Sequence, residues 1–252
     1  MNGHIRGYVK GLTTGEQFHP DALNYDGLWR VQGGFRGDWT LPAERTLTVQ
    51  GDAYTTRLGE RVVATSYTPP FTTTSVVDAP LNGGNVLARL AGRFGGGAAY
   101  QIQTFYDRTH RDETPVAETR DTFDVDYQQH QPRWKTHAIT WGLGYRVSSG
   151  RIVAITPTEF IPPDRTDNLF SAFIQDDVPL LSDRLTFTMG TKVEHNAYSG
   201  FEIQPSLRLS FAVDPLNTVV GSMKLHSGPP LGRNGTCGNA HSFQGVPSEQ
   251  RH

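Results

Sequence analysis

The chain has 252 residues, of which 36% are hydrophobic and 10% aromatic, and a formal net charge of -2. That length suits one large domain or two small ones, and the near-neutral charge leaves no electrostatic footprint for a nucleic-acid partner. No run approaches the roughly 20 apolar residues of a membrane helix, so the chain crosses a bilayer as a barrel or not at all.

Taken in chain order, the hydropathy alternates with the period of a strand. Residues 5–10 give a weak first segment. Trp29, Val31, Gly33, Phe35, Gly37 and Trp39 then share one face, and Arg30, Gln32, Gly34, Arg36 and Asp38 share the other. On a strand tilted about 40° the two Trp rings stand roughly 25 Å apart along a membrane normal, the spacing of the two aromatic girdles of an outer-membrane barrel. The same alternation marks residues 46–55, 85–94, 100–107, 123–128, 139–147, 185–194 and 206–213, with weaker segments at 168–177 and 218–225. The pattern predicts about eleven strands and no helix.

The connections alternate in length. Long polar stretches are expected at 12–26, 58–83, 109–118, 149–167 and 197–201, and tight turns at 42–44, 95–97, 130–132, 181–183 and 214–216. Long loops on one side and short turns on the other are what an antiparallel up-and-down transmembrane β-barrel requires, so the fold class expected is all-β and of that type.

Residues 168–213 carry a resemblance. A strand reading Phe170-Ser171-Ala172-Phe173-Ile174-Gln175-Asp176 is followed by a turn and then by residues 185–196, Leu-Thr-Phe-Thr-Met-Gly-Thr-Lys-Val-Glu-His-Asn. Tyr198-Ser199-Gly200 and Gln204-Pro205-Ser206 come next. This block resembles the middle of the barrel of TonB-dependent outer-membrane receptors, and residues 106–109 and 141–146 are similar to the same barrel. The likeness extends from about Gly7 to about Gly221. It implies a barrel of about 22 strands in the whole receptor, of which about half are visible here. A plug domain, a signal peptide and a closing aromatic strand are not visible in the sequence, so the expectation is an internal fragment: a partial barrel over residues 1–226 and a disordered or frameshifted tail over 227–252. Restoring one base before Gly228 would permit codons reading Ser-Arg-Ala-Ala-Thr-Arg-Pro-Glu-Arg, close to the next expected strand.

No catalytic constellation is visible, and the expectation is a non-enzyme with no cofactor. His4, His19, His110, His130, His137 and His195 are scattered and match no metal-ligand spacing, and Cys237 is the only cysteine. Arg30, Arg36, Asp38, Arg89, Asp124, Asp126, Lys192 and Glu194 fall on the polar face of their strands and are expected to line a lumen. Asp176 and Asp177, being adjacent on a strand, point to opposite faces. Trp29, Trp39, Trp141 and Tyr145 are expected in a lipid-facing aromatic belt. Tyr67, Phe71, Phe160 and Tyr198 sit in expected long connections and are the candidates for ligand contact.

The resemblance implies a parent that captures a scarce large nutrient at the cell surface, of the ferric siderophore, haem or cobalamin class. Its partners would be outer-membrane lipid, the energy-coupling TonB protein and the siderophore-like ligand. With no plug the fragment alone is expected not to transport. The alternative is a soluble β-sandwich or other β-rich binding module or enzyme, which predicts short loops at both ends and apolar faces buried in a core.

Overall fold

A computed structural model describes residues 2–20, 24–154, 159–181, 184–214, 217–225 and 242–243. Eleven long strands follow one another: β1 (Asn2–Thr14), β2 (Leu28–Leu41), β3 (Arg45–Thr65), β4 (Thr72–Arg93), β5 (Ala99–Glu113), β6 (Val116–His130), β7 (Ala138–Ala154), β8 (Asp164–Leu180), β9 (Leu185–Asn196), β10 (Gly200–Ala212) and β11 (Thr218–Lys224). A two-residue β12 (Ser242–Phe243) pairs with β11. Each strand pairs antiparallel with its sequence neighbours, so the described strands form one sheet in the order of the chain. The eleven strands match the number expected from the alternation, and each overlaps an expected segment, but several, β3 and β4 above all, run well past the expected bounds. The tail expected at 227–252 lies outside the described residues except for Ser242 and Phe243.

The β-sandwich alternative is overturned. A sandwich buries apolar faces between two sheets, whereas the described strands make a single layer. Among the described residues, Ala79 and Ala98 are the only buried hydrophobic ones, and Ile5, Phe35, Leu143, Phe170 and Leu209 are exposed. The described strands present two opposed surfaces and enclose no core between sheets.

Those surfaces are sorted by register. One ladder of paired residues runs from Trp39 through Leu47, Leu90, Ile102, Tyr127, Leu143, Ala172 and Val193 to Ile203. On β2 the apolar run from Trp29 to Trp39 lies wholly to one side of this ladder. On β10 the run from Phe201 to Phe211 lies almost wholly to the other. The apolar band therefore slips by about one residue per strand across the sheet. At about 3.3 Å per residue and 4.8 Å between strands this is a tilt of roughly 35°, the tilt of strands in a transmembrane barrel.

The connections differ from expectation. One rim, here the far rim, carries the connections whose described residues are 15–20 and 24–27, 66–71, 114–115, 159–163 and 197–199. The near rim carries those whose described residues are 42–44, 94–98, 131–137, 181 and 184, and 213–214 and 217. The expected loop at 58–83 is mostly strand, because β3 and β4 stay paired up to Thr65 and Thr72. The expected loop at 109–118 is a hairpin closed by Thr114 and Pro115. Both hairpins rise beyond the apolar band, where both faces meet water. The backbone ladder persists there, but the hydropathy alternation that reveals a strand does not. At the near rim, the expected turn 130–132 is a connection of seven residues, 131–137, closed on itself by a Trp134–His137 bridge. In the glycine turn after β4, Gly97 adopts φ +85° and donates its N–H to the Phe94 carbonyl at 2.8 Å.

Candidate functional site

The polar surface gathers the charged residues singled out in the sequence. Asp38 pairs with Thr48, Thr48 with Arg89, Arg89 with Gln103 and Gln103 with Asp126; the row continues through Gly144 and Ser171 to Glu194. Arg30, Arg36, Asp124 and Lys192 stand an even number of residues from these positions along their strands and so share the face. Its charges are matched locally. Same-face neighbours two residues apart pair along one strand: Arg36 with Asp38 at 2.7 Å, Arg111 with Glu113 at 2.8 Å, Arg120 with Glu118 at 2.7 Å, Arg165 with Asp167 at 2.9 Å and Lys192 with Glu194 at 2.8 Å. Across strands Arg146 donates to Asp124 at 2.7 Å, and Arg89 donates two hydrogen bonds to Gln103. The surface is hydrophilic yet carries little uncompensated charge.

Toward the far rim, aromatic rings join this network. The Arg30 guanidinium lies 4.6 Å from the Tyr54 ring centroid, and that of Arg165 lies 3.9 Å from the ring of Tyr198. Partial burial, followed by a hydrogen bond with Asp167, raises the Tyr198 phenol above its ordinary value. Arg165 Nε donates to Asp167 Oδ1 at 2.9 Å beside that ring. Tyr198 sits in a three-residue turn. Asn196 Oδ1 accepts the N–H groups of Tyr198 and Ser199 at 2.8 and 2.9 Å, and Gly200 at φ +69° turns the chain into β10. Tyr67 and Phe71 lie at the tip of the β3–β4 hairpin and Phe160 in the β7–β8 connection, all exposed. The four ligand-contact candidates thus occupy one rim but three different connections.

The opposite surface carries the four expected belt aromatics. The Trp39 indole lies against Gly3 and Gly37, positions where a Cβ would collide with it. Trp141 packs on Tyr127 with centroids 5.4 Å apart. Tyr145 packs on Phe170 at 4.6 Å and donates its hydroxyl to Asn168 at 2.7 Å. Trp29 stands ten residues from Trp39 on the same face. Around Ala172 the large neighbours Tyr127, Leu143, Tyr145, Phe170 and Phe201 leave an apolar cleft of ≈ 440 Å³.

No family model and no curated protein matches the sequence. Solved structures do match. The ferric enterobactin receptor PfeA of Pseudomonas aeruginosa, as a mutant in complex with enterobactin, aligns with a TM-score of 0.62 at 13% identity over 88% of this chain and 39% of that one. The siderophore receptor PirA of Acinetobacter baumannii aligns with a TM-score of 0.52 at 9% identity, covering 87% of this chain and 43% of that one. PirA of Pseudomonas aeruginosa aligns at 0.50 and 13% identity over 87% and 42%. The chain shares the fold of part of these three structures. It spans about two fifths of the length of those receptors.

Sequence reasoning missed several contacts within this wall, because they depend on register. Tyr8 donates to Asp52 across the polar face, over Gly34, which leaves room for the ring. His137 bonds Asp176 on the apolar face, while Asp177 accepts from Thr188 at 2.5 Å on the polar face, so the two carboxylates do diverge. His110 and His130 bond threonine hydroxyls on the adjacent strand, and His195 packs on Phe201 at 4.4 Å. Among the described residues, no group of three or more His, Cys, Asp or Glu side chains is arranged to hold a metal ion.

Proposed function

We propose that this chain is part of the barrel of a TonB-dependent outer-membrane receptor whose whole form takes up a ferric siderophore or a nutrient of similar size. The observation that carries the reading is the staggered apolar band. A sheet with one polar face, one exposed apolar face and a slip of about one residue per strand is shaped for hydrocarbon on one side and a wet lumen on the other. A soluble protein has no use for so much apolar surface in water. The likeness in fold to PfeA and PirA adds the ligand class.

In this reading Arg30, Arg36, Asp38, Arg89, Asp124, Asp126, Lys192 and Glu194 line the lumen, where the Arg36–Asp38, Lys192–Glu194 and Arg146–Asp124 pairs offset much of the charge on a hydrophilic wall. Trp29, Trp39, Trp141 and Tyr145 face lipid. The far rim is the cell-surface end, and Tyr67, Phe71, Phe160 and Tyr198 offer aromatic contacts to the ligand there. Residues 1–226 form the barrel portion. Transport belongs to the whole receptor, with its plug and the TonB protein, and this chain acts as wall and surface hairpins.

The test is to express the chain behind an export signal in a bacterium with an outer membrane and to fractionate the envelope. Recovery with outer-membrane proteins, as a species whose electrophoretic mobility changes on heating, is expected. Recovery as a soluble periplasmic protein would sink the reading. Siderophore capture is then measured on the full-length receptor carrying Tyr67→Ala, Phe71→Ala, Phe160→Ala and Tyr198→Ala. Unchanged affinity would remove those four residues from the ligand surface.

A further inference from the structure

The near-rim connection 131–137 has features that a plain turn does not need. It departs from β6 at His130 and folds back so that His137 Nδ1 lies 2.5 Å from Asp176 Oδ2. Asp176 stands on the apolar face of β8, between Ile174 and Val178, in the register row of Ile139 and Met189. A carboxylate among such neighbours is costly unless it is paired. Its other oxygen, Oδ1, is buried without a hydrogen-bond partner. The histidine therefore does more than end a loop: it ties the connection to the apolar surface at the border of the band.

What the tie holds in place is an indole and two cations. Trp134 is 66% exposed, and its ring centroid is 6.2 Å from that of His137. Lys135, held at φ +55°, places its ammonium 5.1 Å from the Trp134 ring centroid. Arg133 precedes them, and residues 131–137 contain no carboxylate. On β7 the next same-face residues are Ile139 and Trp141, so the connection is continuous with the end of the apolar band. An indole with adjacent cations at the edge of such a band suits the interface of a bilayer, where the ring sits among headgroups and the cations meet phosphate.

We propose that residues 131–137 form a lipid-docking site that takes the anionic phospholipid headgroups of the near-rim leaflet through Arg133, Trp134 and Lys135, with the His137–Asp176 contact as its latch. A zwitterionic surface has no net charge for the two cations to meet, so the selectivity is for net negative headgroups. The site rests on the membrane reading given above. It adds to that reading a second role for this rim: fixing the depth and rotation of the barrel wall against the leaflet.

The experiment uses the whole 252-residue chain folded into vesicles of phosphatidylcholine, with and without phosphatidylglycerol. Trp134 emission is isolated as the difference between the chain and its Trp134→Phe variant. Adding phosphatidylglycerol is expected to shift that emission to the blue and shield it from iodide, an effect that fades with salt. Lys135→Gln and Arg133→Gln are each expected to lower the vesicle partition gained from phosphatidylglycerol about fivefold. His137→Ala is expected to keep the chain inserted yet expose Trp134 to iodide again. If Trp29, Trp39 and Trp141 report insertion while Trp134 is indifferent to phosphatidylglycerol, the docking site is refuted and the membrane reading survives. Failure of those three indoles to enter any vesicle would overturn both. A Trp134 shift that appears only when solubilised envelope protein is added to the vesicles, and not with phosphatidylglycerol, would point to a protein partner and also refute the proposal.

Discussion

Arg146 reaches from β7 to the Asp124 carboxylate on β6, its Nε 2.7 Å from Oδ2, and Asp124 is 7% exposed. The two are register partners, so the backbone ladder itself brings them together. Removing the arginine leaves a largely desolvated carboxylate unpaired. Because the Arg146 side chain is itself half exposed, Arg146→Gln should cost about 2 kcal/mol, less than a fully buried pair would. Asp124→Asn, which keeps an acceptor for the guanidinium, should cost under about 1 kcal/mol. Urea unfolding of the vesicle-inserted chain measures both. An Arg146→Gln midpoint equal to that of the parent chain would show that the pair does not hold β6 and β7 together.

Glycines separate sharply by what surrounds them. A Cβ at Gly51 would stand 2.6 Å from the Asn85 carbonyl oxygen, whereas one at Gly11 has nothing within 4 Å. The first obstacle is backbone and cannot swing aside. Gly51→Val should therefore destabilise by about 1–3 kcal/mol through overpacking, while Gly11→Val should stay within about 0.5 kcal/mol. Equal losses in the same unfolding assay would mean that residue type, and not the approach of β4, decides the cost.

The strands were legible wherever one face meets apolar surroundings and the other water, as at Trp29 to Trp39, because the alternation is then forced. It vanishes where both faces are wet, which is why residues 58–65 and 72–83 read as loop although they pair along their length. The same-strand ion pairs are visible in the sequence as a basic and an acidic residue with one residue between them, Arg165-Thr166-Asp167 and Lys192-Val193-Glu194 among them. Contacts such as Arg165 on Tyr198 or His137 on Asp176 need the register between strands, and no local pattern supplies it. The seven-residue connection 131–137 was hidden by its proline and histidine, which look like a tight turn.

Leu47, Leu143 and Ile203 share one register row, yet the slip of the apolar band puts them at three depths. Leu47 lies at the near-rim border of the band on β3, Leu143 at its middle on β7, and Ile203 close to its far-rim border on β10. An arginine at the centre of the hydrocarbon costs about 2–4 kcal/mol and near an interface about 0–1 kcal/mol. Leu143→Arg should therefore impair folding into vesicles much more than Leu47→Arg or Ile203→Arg does. Equal effects would mean that the row runs parallel to the membrane and the tilt of roughly 35° is wrong.

The β1–β2 connection offers a pH readout beyond the apolar band. Gln17 donates its backbone N–H to Asp26 Oδ1 at 2.7 Å, and this bond is the main reason the Asp26 carboxyl lies below its ordinary value of 3.8. His19, whose Nε2 is 3.7 Å from Asp26 Oδ2, adds a smaller pull in the same direction. The Gly59 N–H donates to the Gly27 carbonyl at 2.9 Å and ties the end of the connection to β3. A carboxyl depressed on folding contributes stability that is present above the unfolded value and is lost as pH falls through the folded one. The clasp should thus hold at neutral pH and open only below the ordinary carboxylate range. Hydrogen exchange at the Gln17 amide, corrected for its intrinsic pH dependence, should lose protection there while the amides of β2 and β3 keep theirs. Asp26→Asn retains an acceptor and removes the titration, so its Gln17 protection should be flat with pH. A pH-dependent loss that persists in Asp26→Asn would assign the opening to another group.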